Sequence, residues 1–213
     1  MKKMLILCLL LSTFLSACVH ARTPKDMTKF NEVKPSSILV VPVVNESVEV
    51  TAPDFFLSTV SIPLAERGYY VFPVNLVKRI LEDEGLSDAS LVKSAPSGKI
   101  CKLFGADSVL YVTIKDWNAQ YMVLSTTVNV KLNYIIKDCK SGEILWEHDQ
   151  AMKYVPQNTN TGNIIGNLVV MAVNAAMTKA APNYVPLARQ ANALAFYPVG
   201  VGIPLGPYAT PVN

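Results

Sequence analysis

The chain holds 213 residues, 19 Lys and Arg against 16 Asp and Glu, and 51% hydrophobic residues with only 16% charged. That length suits one domain of ordinary size, and so apolar a composition excludes a disordered chain, which needs low hydrophobicity and high charge. A net charge of +3 lacks the basic excess of a nucleic-acid binder. Two histidines, His20 and His148, leave little room for acid–base or zinc chemistry.

The chain opens with Lys2 and Lys3, followed by an apolar run from Met4 to Leu15. The run is too short for a spanning helix, which needs about 20 apolar residues. It has the form of a secretory leader over residues 1–17. The leader ends in Leu15-Ser16-Ala17-Cys18, which resembles the bacterial lipobox. The resemblance implies cleavage after Ala17, diacylglycerol on the Cys18 thiol, and acylation of the new amine by a chain such as palmitate. Small residues at Ser16 and Ala17 let an extended backbone enter a peptidase groove, and the thiol accepts the lipid. Val19 replaces the aspartate that resembles an inner-membrane retention signal, which favours the outer membrane by analogy. Residues 18–36 are polar and without apolar periodicity, so they read as a tether, with His20 idle in solvent.

The folded domain is expected over residues 37–195. Ser37 to Val44 is a continuous β-branched run that predicts a strand buried on both faces. Pro53 to Gly68 predicts a helix, with Thr51 as N-cap and Pro63 as a kink or split. Tyr69 to Phe72 predicts a short strand, Val74 to Glu84 a helix, and Pro96 to Phe104 a third helix. Ser108 to Asp116 predicts a strand and Trp117-Asn118 a turn. Met122 to Lys137 has the clearest two-residue period, with Val128, Val130, Leu132 and Tyr134 on the dry face and Asn129, Lys131 and Asn133 on the wet one. After a turn at Asp138–Gly142, Glu143 to Tyr154 pairs back. These elements make a mixed α/β (α+β) fold, a single sheet of about five strands with helices packed on it. No internal repeat occurs.

Gly162 to Ala180 predicts a long helix, apolar except for a thin stripe of Asn163, Asn167, Asn174 and Thr178. A helix this apolar must be covered on most sides, within the domain or between two subunits. Gly162 and Gly166 have the small-residue spacing that permits close helix approach, or simply mark a flexible helix start. Residues 185–195 predict a short helix, and residues 196–213 a Pro/Gly-rich tail lying along a protein surface. This C-terminal apolar excess marks Ile165, Leu168, Val169, Ala172, Tyr197 and Tyr208 as interface candidates for a homodimer or an envelope partner.

Four cysteines are present. Cys8 leaves with the leader and Cys18 takes the lipid. Cys101 and Cys139 remain, and in an oxidising envelope an even remainder pairs as a disulfide; the alternative is two separate buried thiols.

The strand Ile38–Val43, Leu64-Ala65-Glu66-Arg67-Gly68-Tyr69-Tyr70-Val71-Phe72-Pro73, Gly105-Ala106-Asp107-Ser108-Val109-Leu110, Asp138-Cys139-Lys140-Ser141-Gly142-Glu143-Ile144-Leu145-Trp146 and Gly206-Pro207-Tyr208 together resemble a family of Gram-negative lipoproteins typified by a meningococcal surface-antigen candidate. The pattern is similar to the N-terminal domain of the translocation protein TolB and to the periplasmic domain of the curli secretion lipoprotein. The resemblance implies an anticodon-binding-domain-like arrangement and an accessory role beside a curli-type complex, lipid-anchored in the envelope and facing the periplasm or the cell surface. It transfers no catalytic residues.

The residues themselves show no Cys-x-x-Cys, no His-Glu-x-x-His and no phosphate loop. His148 sits mid-strand, with Glu147 and Asp149 pointing to the opposite face, and reads as structural. Asp107 and Asp138 read as turn and cap residues, and Phe55, Phe56, Tyr69 and Tyr70 as core or interface aromatics. The expectation is therefore a non-enzymatic assembly protein without cofactor, metal or nucleic acid. The alternative is a ligand- or glycan-binding, even hydrolytic, envelope protein.

Overall fold

One strand, Ser108–Met122, takes partners along both edges and organises everything else. The computed structural model describes residues 23–122, 125–154 and 184–210. In chain order these contain α1 (Thr28–Val33), β1 (Ser37–Val40), β2 (Val44–Asn45), α2 (Ala52–Glu66), β3 (Tyr70–Val71), α3 (Val74–Asp83), α4 (Ala89–Ser94), α5 (Ser97–Phe104), β4 (Ser108–Met122), β5 (Ser125–Asp138), β6 (Ile144–Tyr154) and α6 (Val185–Phe196).

The strands form a 6-stranded mixed sheet in the order β3-β1-β4-β5-β6, with β2 also on β4. β1 pairs in parallel with β3 and β4, and β2 in parallel with β4. β4, β5 and β6 form an antiparallel meander. Both faces of β1 are covered, which explains its unbroken apolar sequence. Ile38 and Val40 face a core with Leu110, Val112, Leu132, Tyr134 and Trp146, capped by Phe56, Val60 and Leu64 of α2 and Leu187, Ala191 and Phe196 of α6. Leu39 faces the opposite core with Val109 and Tyr111, under Val77 and Leu81 of α3, Val92 of α4 and Ile100 of α5.

The sheet departs from the sequence expectation in one instructive place. The strand does not turn at Trp117-Asn118 but continues to Met122. A bulge between Ile114 and Asp116 shifts the register, so Ile114 opposes Leu132 while Trp117 opposes Val130. The extra residue inverts the alternation. Trp117 thereby joins Ile114 in the core, fully buried, while Lys115 points to solvent.

Three further differences are local. The tether expected over residues 18–36 contains α1, whose Phe30 is buried and meets Tyr69 edge-on at 6.2 Å. α4 was not signalled by any periodicity; the Asp88 carboxylate caps it by accepting from the amides of Ser90 and Leu91. α2 passes through Pro63 without a break. The predicted helix Gly162–Ala180, with Gly162, Gly166, Ile165, Leu168, Val169 and Ala172, lies outside the described residues, as does Cys18.

Two side-chain links lock this frame. Cys101 on α5 and Cys139 after β5 are joined in a disulfide, with Cα atoms 5.8 Å apart. It ties α5 to the end of the meander. At the same end, the Asp107 carboxylate accepts from the backbone amides of Ser36 (3.0 Å) and Ser37 (3.1 Å) and from both hydroxyls. Burial alone raises the Asp107 pKa, but the Ser36 and Ser37 donors outweigh it and hold the carboxyl below its ordinary range. Asp138 is held low in the same sense: burial opposes, and the Ser141 amide and hydroxyl, each 2.7 Å away, prevail.

Titration of the denatured mature protein without reductant is expected to find no reactive thiol at Cys101 or Cys139. Their cross-link spans 38 positions, so reduction is expected to cost roughly 3–4 kcal/mol of stability in the chain-entropy picture. Two reactive thiols would show that the pair does not exist.

Because the folded-state pKa of Asp107 is depressed, its contribution is present above the unfolded value of about 4 and is lost as pH falls through the lower folded value. Urea midpoints measured from neutral pH into acid are expected to fall below about pH 4. Asp107→Asn is expected to be less stable at neutral pH and to show a shallower acid decline. An unchanged acid limb would mean that the carboxylate is not what holds this end of the sheet.

Candidate interaction surface

The C-terminal tail leaves α6 at Phe196 and turns back over the domain. Pro198 O accepts from the amides of Val201 (3.2 Å) and Gly202 (2.7 Å), which closes the turn. The Trp146 indole then donates to Val201 O at 2.9 Å, and Ile203 is fully buried. Arg67, just past the end of α2, donates from Nε to Ile203 O at 3.1 Å, and its second nitrogen reaches the same oxygen. The Tyr69 hydroxyl donates to Pro204 O at 2.9 Å; burial keeps this phenol protonated far above its ordinary range. The Gly206 amide donates to Arg67 O (2.7 Å) and the Tyr208 amide to Gly68 O (3.0 Å).

Two glycines make this approach possible. Gly68 has φ +85, and a Cβ there would stand 2.1 Å from the Ala209 nitrogen. A Cβ on Gly206 would stand 2.3 Å from Gly68 O. Neither position accepts a side chain without separating the tail from the end of α2.

The strap leaves a rim of apolar side chains facing outward. Leu205 and Tyr208 of the tail are 64% and 65% exposed, and Tyr70 of β3, the sheet's terminal strand, is 53% exposed. Tyr70 meets Phe72 edge-on at 5.0 Å, and Phe72 meets Phe104 at 6.1 Å. Beneath Leu205 a cavity of about 230 Å³ is lined by Phe30, Lys34, Pro35 and Tyr69 together with tail residues. A second groove of about 360 Å³ runs between α2 and α6, past Ile62, Pro63, Arg189 and Ala193, and ends at Tyr197.

Of the interface candidates read from sequence, Tyr197 and Tyr208 are described. Both reach the C-terminal end of α2. The Tyr197 hydroxyl donates to the Glu66 carboxylate, and the Tyr208 backbone binds Gly68. Burial first, and then the Glu66 carboxylate, push the Tyr197 phenol pKa upward. Leu205 and the cavity beside Phe30 carry no signal in the sequence, whereas Tyr70 is read there as a core or interface aromatic, Tyr208 as an interface candidate, and residues 196–213 as a tail lying along a protein surface.

The other residues weighed for chemistry are occupied structurally. His148 is buried, stacked on Trp146 at 5.5 Å and 14°, with Gln150 as a partner. Glu147 and Asp149 face the other side, where each accepts from the Asn133 amide. Among the described residues no cluster of His, Cys, Asp and Glu is placed to hold a metal ion, and no helix is long and apolar enough to cross a membrane.

An N-terminal stretch that resembles a leader with a lipobox, followed by a mixed α/β domain strapped by its own C-terminal tail, is the pattern of an envelope lipoprotein. The chain belongs to the family described as "Putative lipoprotein GNA1162-like", which it matches over residues 25–207. A Neisseria meningitidis serogroup B lipoprotein of that description (NMB1124/NMB1162) is 36% identical over 173 residues, covering 81% of this chain and 80% of the relative. The crystal structure of lipoprotein GNA1162 from Neisseria meningitidis superposes with a TM-score of 0.56 at 32% identity, over 68% of this chain and 100% of that one. Association with the cell envelope follows from the family.

Gly68→Ala is expected to cost roughly 1–3 kcal/mol, since it adds a Cβ at a positive φ and against the tail backbone. Limited proteolysis should then cut the tail after Phe196 faster than in the unaltered protein. Equal cleavage rates and an unchanged melting temperature would mean that the strap is not held through Gly68.

Proposed function

We propose that this protein is lipidated on Cys18, anchored in the outer membrane facing the periplasm, and acts without catalysis by binding another protein surface or a second copy of itself. The observation that carries the reading is the set of outward side chains Leu205 and Tyr208, on a tail hydrogen-bonded to the end of α2, and Tyr70 of the edge strand β3. Ordered apolar side chains cost little further entropy when a partner covers them. Aromatic residues of this kind are enriched where proteins meet. The lipobox and the family membership support the anchor. An accessory role beside a curli-type complex, which the sequence resemblance points to, is the narrower form of this proposal. A glycan-binding role calls for a pocket lined by carboxylates and aromatic rings. A groove of about 620 Å³ around the start of α5 is lined instead by Lys93, Lys99, Lys137 and Lys140.

The test places a photoreactive amino acid at position 208 of the lipidated protein in intact cells, and at the exposed Lys78 of α3 as a control. Position 208 is expected to yield one discrete adduct, of dimer mass or with one partner, and Lys78 none. In the same cells Cys18→Ser is expected to leave the membrane fraction. The absence of a discrete adduct at 208, or equal adducts at both positions, would overturn the binding role; a Cys18→Ser protein still in the membrane would overturn the anchor.

A further inference from the structure

The most exposed large apolar side chain in the described part of the molecule is Val199, at 97%. It tips the turn that follows α6, between Pro198 and Gly200. Its neighbours along the tail, Val201 and Ile203, are buried. The turn is not loose: Pro198 O accepts from two amides across it, and the Trp146 indole holds Val201 O behind it.

What lies beside this tip gives it a meaning. The Lys25 amide donates to Gly200 O at 2.7 Å, and a Cβ on Gly200 would touch Pro24 at 3.7 Å. The Lys25 ammonium lies over the Trp146 ring at 5.4 Å and donates to Glu147 O. So the turn is clasped to the point where the N-terminal segment enters the domain. Only the residues Val19 to Pro24 separate that point from Cys18. Even fully extended, the seven steps from Cys18 to Lys25 reach roughly 25 Å. A bilayer that holds Cys18 therefore lies within that reach of the clasp between Lys25 and Gly200, the residue next to Val199.

Tyr197 stands two residues before the tip. The residue is 37% exposed and its hydroxyl is tied to Glu66. An aromatic with one wet end and one apolar end suits the headgroup level of a membrane. We propose that the Tyr197–Val199 turn is a second, non-covalent membrane contact, dipping into the bilayer that carries the anchor and setting the orientation of the domain on it. The proposal rests on lipidation of Cys18. Two exposed valines elsewhere serve as the contrast. Val48 and Val50, at 82% and 84%, precede α2, whose opposite end meets Tyr197. Among the described residues, no hydrogen bond joins that loop to Pro24 or Lys25.

The full lipidated chain is reconstituted in vesicles of phosphatidylethanolamine and phosphatidylglycerol, with lipid on Cys18 verified by intact mass. Val199→Cys and, separately, Val50→Cys carry an environment-sensitive fluorophore; the lipid and the disulfide leave the new thiol as the reactive one. The Val199 probe is expected to shift to the blue on the vesicles and to be quenched at least about twofold more than the Val50 probe by lipids with a nitroxide near the headgroup. Equal spectra and equal quenching on a lipidated, vesicle-bound protein would overturn this contact while leaving the anchor intact. A chain without lipid would overturn both.

Discussion

The layers of this domain are registered by one buried hydrogen-bond chain. Tyr134 in the middle of β5 is fully buried, so its hydroxyl must find a partner or cost its desolvation. It donates to Asn192 Oδ1 of α6 at 3.0 Å, and Asn192 Nδ2 donates to Thr59 Oγ1 of α2 at 3.1 Å. Thr59 in turn donates to Phe56 O. Three elements far apart in sequence are thus held at one height. Burial drives the Tyr134 pKa well up, so the phenol stays a donor. By contrast the Trp117 indole nitrogen, equally buried, has no hydrogen-bond partner among the described residues.

The position of α6 decides where the tail begins, and the end of α2 decides where it can land. Phe196 closes α6 against Tyr134 at 5.3 Å and Trp146 at 5.6 Å. From there the chain has only the groove over Arg67 and Gly68 to follow. The strap then covers Ile203 and the Tyr69 ring and turns Leu205 and Tyr208 outward. The N-terminal segment enters on the same side, clasped at Gly200.

Much of the meander was legible in the residues. Val128, Val130, Leu132 and Tyr134 alternate with polar residues because one sheet face is helix-covered and the other is largely wet. The cysteine pair was legible by subtraction, because the lipobox reading assigns Cys8 to the leader and Cys18 to the lipid and leaves Cys101 and Cys139. The bulge at Lys115 was not legible. Asp116 and Trp117-Asn118 have turn character locally, and only the register against β5 shows that the strand continues. Helix α1 was hidden because six residues with one buried ring give no periodicity. The rim at Leu205 was hidden for a different reason: a Pro/Gly-rich tail has no period at all, so its alternation of buried and exposed residues comes entirely from what it lies on.

The sequence by itself determined the address, the family pattern, the alternation of strands and helices, and the cysteines available to pair. Those features are local or compositional, and each is written in consecutive residues. The tertiary structure alone decided that Gly68 and Gly206 face each other, that Tyr197 and Tyr208 meet the same end of α2, and that Gly200 stands beside Pro24. These are contacts across more than a hundred positions, and no spacing rule along one chain encodes which backbone a glycine makes room for.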